Sequence, residues 1–298
     1  MVDDEVFYVT WTLARRLRVA ALAMLLYDYV LTWEQERRLF WKRRRSWVTV
    51  LFFWNRYIGI GVTIFGTTLL AVPRLSDSLC VVWLRSEGAI GMGTAWAVQL
   101  ILQLRIYALY RRSRLVGCVT LVCWVLQMAY IVPFLWIATS GGKIIAQTKG
   151  EYQRCIITPM LPTVVAAWGV LMCYEGLLLT LTINKAFEYY KIRRATPNSV
   201  RSIQGVIIRD SILYSLFIGM IYGVNIFLWG VDSSNRMDML MAFSIALPSL
   251  LASRLMLNVR DYSTQHTIFV NYAADNTIPI GGMSTDIQTR PLPELEFA

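Results

Sequence analysis

The chain has 298 residues, of which 56% are hydrophobic and only 16% charged, and its mean hydropathy is +0.48. A soluble domain carries about 25% charged residues, so this composition leaves too little polar surface to cover a water-soluble fold and excludes a disordered or fibrous chain. It points to a polytopic membrane protein, in which the net charge of +10 belongs to loops at the membrane surface rather than to a nucleic-acid interface.

Residues 1–16 open acidic with Asp3, Asp4 and Glu5, turn apolar from Val6 to Ala14 and close on Arg15 and Arg16. No small-residue cleavage pattern follows, so they are expected to form a short segment outside the membrane rather than a cleavable signal. A bilayer-crossing helix needs about 20 mostly apolar residues. Seven such runs are read, over residues 17–33, 47–72, 87–110, 115–138, 160–184, 206–230 and 238–258. None shows the alternation of a porin strand, so the expected fold is an all-α, seven-helix bundle. Gly88, Gly91 and Ala95 in the third span and Gly219 and Gly223 in the sixth have the spacing of close helix approach, and Pro133 and Pro248 are expected to kink the fourth and seventh. Residues 259–298, with Pro279, Gly281, Gly282, Pro291 and Pro293, read as a flexible tail.

Cytoplasmic loops keep Lys and Arg. The first, third and fifth connections hold 14 of them, against 6 in the second, fourth and sixth, which puts the amino terminus outside and the tail in the cytoplasm. Arg15, Arg16 and Arg18 fall on the wrong side under this reading. The densest run, Arg37, Arg38, Lys42, Arg43, Arg44 and Arg45, is interleaved with Leu39, Phe40 and Trp41. It sets topology and is a candidate contact for anionic lipid at the inner face. Cys118, Cys123 and Cys173 fall inside spans, whereas Cys80 and Cys155 lie in two connections on the same outer side, an oxidising environment, and form a candidate disulfide.

Ionisable residues inside spans are expensive and call for partners or a function. Asp28, Arg56, Arg105, Glu175, Arg209, Asp210 and Arg254 lie there. At 1.5 Å per residue Arg56 and Glu175 sit about 14 Å from the inner end, Asp28 and Arg105 about 8 Å, and Asp210 with Arg254 about 6 Å. Three acids and four bases at matching depths suggest a polar network: Asp210 with Arg254, and Arg56 with Glu175 or Asp28. No Walker loop, H-E-x-x-H, Gly-x-Ser-x-Gly or Cys-x-x-Cys is present, and the lone His266 lies in the tail, so no catalytic, cofactor-binding or metal residue is assigned and no enzyme is expected.

Several strings are familiar. Leu25 to Trp33 (LLYDYVLTW), the acidic pair Glu34 and Glu36, the Phe40-Trp41 pair with its basic run, and Asn55-Arg56-Tyr57 resemble the amino-terminal domain of a large family of uncharacterised basidiomycete membrane proteins, the domain of unknown function six-five-three-three. Leu104 to Arg114, Arg209 to Tyr214 and Ser253 to Arg260 resemble later segments of those proteins. The resemblance implies seven spans and a fungal source but brings no substrate and no catalytic residue. In outline the chain also resembles G-protein-coupled receptors, without their acidic-Arg-aromatic triplet after the third helix or their Asn-Pro-x-x-Tyr pattern in the seventh. The expectation is a non-enzymatic, receptor-like sensor, in the plasma membrane, with a cytoplasmic protein partner. A transporter or channel using Arg56 and Glu175, or a lipid-interacting structural protein, is the alternative.

Overall fold

The computed structural model describes residues 2–42, 46–69, 76–141, 143–149, 152–158, 163–195, 203–231 and 240–275. Among these residues seven long helices follow one another: α1 Val2–Glu36, α2 Trp47–Leu69, α3 Asp77–Leu109, α4 Arg114–Gly141, α5 Thr163–Ala195, α6 Ile203–Val231 and α7 Met241–Asp275. Between α4 and α5 the strands β1 Lys143–Lys149 and β2 Tyr152–Thr158 pair antiparallel, with Ala146 opposite Cys155. Helices α2 to α7 are long and apolar enough to cross a membrane. Helix α1 has the length, but its charged residues keep it out of that set on composition.

The helices run past the apolar stretches because charge does not break a helix, and α4 and α7 continue even through Pro133 and Pro248. Helix α1 passes through Arg15, Arg16 and Arg18 without interruption. Helix α3 starts ten residues before the apolar run, where the Ser76 hydroxyl accepts the Leu79 N–H and caps the first turn. Helix α7 continues to Asp275, so the first seventeen residues of the expected flexible tail, and His266 among them, are helical. No Pro or Gly occurs between Asn258 and Asp275 to stop the helix. The remainder of that tail lies outside the described residues. Between α3 and α4 the chain reverses in a few residues, with Arg111 and Arg112 at φ of 52° and 60° closing on the Ala108 and Tyr107 carbonyls.

The buried side chains form one large cluster running from Leu39 and Phe52 through Val98, Leu171, Ile218 and Leu257, with a smaller one where Ala21 and Leu25 of α1 meet Ala242 and Ala246 of α7. Of the membrane-length windows, α7 is 61% buried and α4 17%, which makes α7 the central helix and α4 the peripheral one. Large apolar side chains such as Val30, Leu115, Leu126, Met220 and Phe227 face outward, the arrangement of a bundle solvated by lipid.

Helix α1 is built the other way round from a water-soluble amphipathic helix. Its buried residues, Phe7, Thr10, Trp11, Ala14, Arg18, Ala21, Leu25, Asp28, Thr32 and Glu36, follow the helical repeat, while Val19, Leu26, Tyr27, Val30 and Leu31 are exposed. Arg18, Asp28 and Glu36 point into the bundle, whereas Arg15, Arg16 and Glu34 are exposed with the apolar residues of the outer face.

Candidate functional site, an ionic cluster between three helices

Asp28, Thr32 and Glu36 come to one face of α1 because they are spaced by four residues. Opposite them α2 departs from regular helix: Trp54–Ile58 form a π turn, and this turn carries Asn55, Arg56 and Tyr57. Arg56 is 3% exposed and its guanidinium lies between both acids, with Nε 2.7 Å from Glu36 Oε2 and Nη1 3.5 Å from Asp28 Oδ2. Arg56 also donates to the Thr32 hydroxyl at 2.5 Å and to the Tyr29 carbonyl at 3.5 Å, and its guanidinium stacks over the Tyr29 ring. Glu36 is fully buried and accepts hydrogen bonds from the Tyr57 hydroxyl at 2.6 Å and the Trp41 indole N–H at 3.0 Å. Arg254 of α7 completes the set, its Nε donating to Asp28 Oδ1. Two carboxylates, the buried Arg56 guanidinium and the half-exposed Arg254 guanidinium thus balance in charge, and pairing of this kind is the condition under which the buried members are tolerated in a low-dielectric interior.

The π turn has a second consequence. The Gly59 N–H bonds to the Arg56 carbonyl, and the Asn55 carbonyl accepts the Ser249 hydroxyl of α7 at 2.6 Å. The Asn55 side-chain amide returns a bond to the Ser249 carbonyl at 3.0 Å. A Cβ at position 59 would lie 2.6 Å from the Ser249 oxygen, so glycine is what lets α2 and α7 approach here. The local distortion that aims Arg56 at α1 therefore also ties α2 to α7.

A second buried pair sits near the middle of α1. Arg18 Nη1 is 2.7 Å from Glu87 Oε1 of α3, both side chains nearly inaccessible, and the Arg18 guanidinium lies over the Trp83 ring. A Cβ at Gly66 of α2 would come within 2.2 Å of Arg18 and 2.7 Å of Trp83, so the pair occupies the space that glycine leaves. Close by, the structure joins Cys80 at the start of α3 to Cys155 on β2 by a disulfide, which fastens the hairpin to this end of the bundle. Cys118, Cys123 and Cys173 are free.

The geometry differs from the sequence-based pairing in several places. Asp210 does not meet Arg254. Helices α6 and α7 are neighbours, yet Arg254 turns away from α6 toward the α1 stripe, and Asp210 is 3.4 Å from Arg209, a side chain 69% exposed. Arg56 takes Asp28 and Glu36, not Glu175, because Glu175 sits on α5. Arg105 donates to the Leu255 carbonyl of α7, with Asp210 within electrostatic reach. Of the basic run, Arg37 pairs with Glu34 and Arg38 with Asp261 at 2.9 Å each, Lys42 is exposed, and Arg43 to Arg45 lie outside the described residues. The Arg37 guanidinium holds the exposed Glu34 carboxyl below its ordinary range. Gly219 and Gly223 meet nothing where a Cβ would stand, so they do not mediate a close approach between the described helices.

Glu36, Arg18 and Glu87 carry buried ion pairs that the sequence argument left out. Glu36 was legible in principle, since it continues the stripe set by Asp28 and Thr32. Arg18 and Glu87 were not, because each sits at the edge of an apolar run, where a charge ordinarily faces headgroups.

A bundle of six helices apolar enough to cross a membrane, with buried ion pairs between helices, is a multi-pass integral membrane protein. Residues 17–61 match the family model described as Family of unknown function (DUF6533). That segment spans Leu17 of α1 to Gly61 of α2 and so contains Arg18, Asp28, Glu36, Arg56 and the π turn. No curated protein matches the chain.

Proposed function

We propose that the protein is a seven-span, receptor-like sensor of the plasma membrane, with its amino terminus outside, its carboxyl tail in the cytoplasm and no enzymatic chemistry of its own. The observation that carries this reading is the ionic cluster of Asp28, Glu36, Arg56 and Arg254, in which a buried guanidinium of α2 is shared by two acids of α1 and Arg254 of α7 reaches one of those acids, so that three helices meet. Such a cluster has discrete pairing states, and exchanging one partner shifts whole helices rather than a side chain, which is what a two-state membrane switch requires. Its neighbours lead toward the tail: Arg38, just beyond α1, pairs with Asp261 on the part of α7 that continues past the apolar run.

The inward-facing Arg18, Asp28 and Glu36 and the outward-facing apolar residues between them support counting α1 as the seventh span, since lipid is the solvent in which that arrangement is stable. The excess of Lys and Arg in the odd-numbered connections supports the orientation. Arg37, Arg38 and Lys42, with Arg43 to Arg45, then lie at the cytoplasmic surface, where anionic lipid adds about 1 kcal/mol per basic residue. The connection between α5 and α6 and the tail face a cytoplasmic protein partner.

Proximity labelling from the carboxyl tail in cells tests the reading. Arg56→Ala releases both acids and is expected to change the set of labelled cytoplasmic proteins. An unchanged set, together with ion or solute flux in proteoliposomes that Arg56→Ala abolishes, replaces the sensor with a transporter.

A further inference from the structure

A different part of the bundle holds a carboxylate that the ionic cluster does not use. Glu175 of α5 is 2% exposed, and no cation pairs with it among the described residues. The Gln99 side chain of α3 is its polar neighbour, in reach of the carboxyl without a well-aligned hydrogen bond, and Gln99 accepts a bond at 2.8 Å from the Gln127 amide of α4. The Gln127 oxygen and the Tyr214 hydroxyl of α6, the latter within electrostatic reach of Glu175, are buried without partners. Trp96 and Trp124 stand one turn before Gln99 and Gln127, and neither indole N–H is satisfied. Buried polar groups are hydrogen-bonded as a rule, so a buried carboxyl without a countercharge, beside the unpartnered Tyr214 hydroxyl and linked through Gln99 to the unpartnered Gln127 oxygen, marks a missing partner rather than a defect.

We propose that this centre binds a small organic ammonium ligand. The carboxylate supplies the countercharge and the Gln127 oxygen a second acceptor. Tyr222, also within electrostatic reach of Glu175, adds an aromatic face and packs against Trp168 at 5.7 Å. A hard metal ion is the poorer match, because it takes about six oxygen ligands and this centre offers far fewer. No described Lys or Arg pairs with Glu175, so an incoming ammonium has no protein cation to displace. The assignment concerns binding and stands whether the bundle signals or transports.

The full chain, purified in lipid nanodiscs, is titrated with benzylamine, with uncharged benzyl alcohol and with sodium chloride, and followed by thermal unfolding. Benzylamine is expected to raise the midpoint saturably and benzyl alcohol not to. Glu175→Gln is expected to weaken the benzylamine response by about tenfold or more, the loss of one charge-assisted hydrogen bond. Asp210→Asn, a change at a carboxylate outside this centre, is expected to leave the response intact. Equal shifts from the amine and the alcohol, or from sodium in place of the amine, overturn the assignment. Should Glu175→Gln fail to fold, Gln127→Leu takes its place with a smaller expected loss, and an unchanged affinity there counts against the site in the same way.

Discussion

At the scale of single residues, the cost of a charge inside the bundle depends on what it leaves behind when removed. Arg56 is shared by two buried carboxylates, so Arg56→Ala leaves Glu36 without a cation and Asp28 with Arg254 alone, and is expected to destabilise the bundle by about 3–5 kcal/mol, measured by thermal or denaturant unfolding in micelles. Asp210→Asn is expected to cost less than about 1 kcal/mol in the same assay, because its partner Arg209 is largely exposed and such pairs contribute little. A large effect at Asp210 would restore the Asp210–Arg254 pairing that helix adjacency alone suggests. Both acidic residues looked equivalent in the sequence. What separates them is the direction each helix face takes, and that follows from packing.

At the scale of elements, glycines with the same sequence signature part company in the structure. Gly59 and Gly66 on α2 are filled to the limit, one by Ser249 of α7 and the other by Arg18 and Trp83. Gly219 and Gly223 on α6 have the small-xxx-small spacing but face open space. Gly59→Ala and Gly66→Ala are therefore expected to lower the unfolding midpoint, each by overpacking worth about 1–3 kcal/mol. Gly219→Ala and Gly223→Ala are expected to leave the midpoint unchanged or to raise it, since alanine favours helix by about 1 kcal/mol over glycine. A drop at the α6 positions would show that a second surface packs there. The π turn of α2 belongs to the same scale: nothing in the string WNRYI announces it, and it coincides with the reciprocal bonding of Asn55 with Ser249 on a helix nearly two hundred residues away.

For the whole molecule, the disulfide and the two buried ion-pair groups fix opposite ends of one bundle. The Cys80–Cys155 bridge and the Arg18–Glu87 pair hold the hairpin end, and the Asp28–Glu36–Arg56–Arg254 cluster holds the other. Cys80→Ser or Cys155→Ser is expected to shift mobility on a non-reducing gel, expose one more reactive thiol and remove about 2–5 kcal/mol of stability, while identical mobility and thiol counts would leave the bridge without support. Sequence alone determined the class of protein, six of the helices and the approximate centre of each, because a bilayer demands about 20 apolar residues per crossing and that demand is local and one-dimensional. It also brought Cys80 and Cys155 to the same side. Which charges meet was decided only by tertiary structure. Pairing depends on helix rotation, and rotation is set by the sum of all side-chain contacts around the bundle, so the partners of the α1 stripe, the π turn of α2 and the lack of a cation at Glu175 became visible only once the helices were packed.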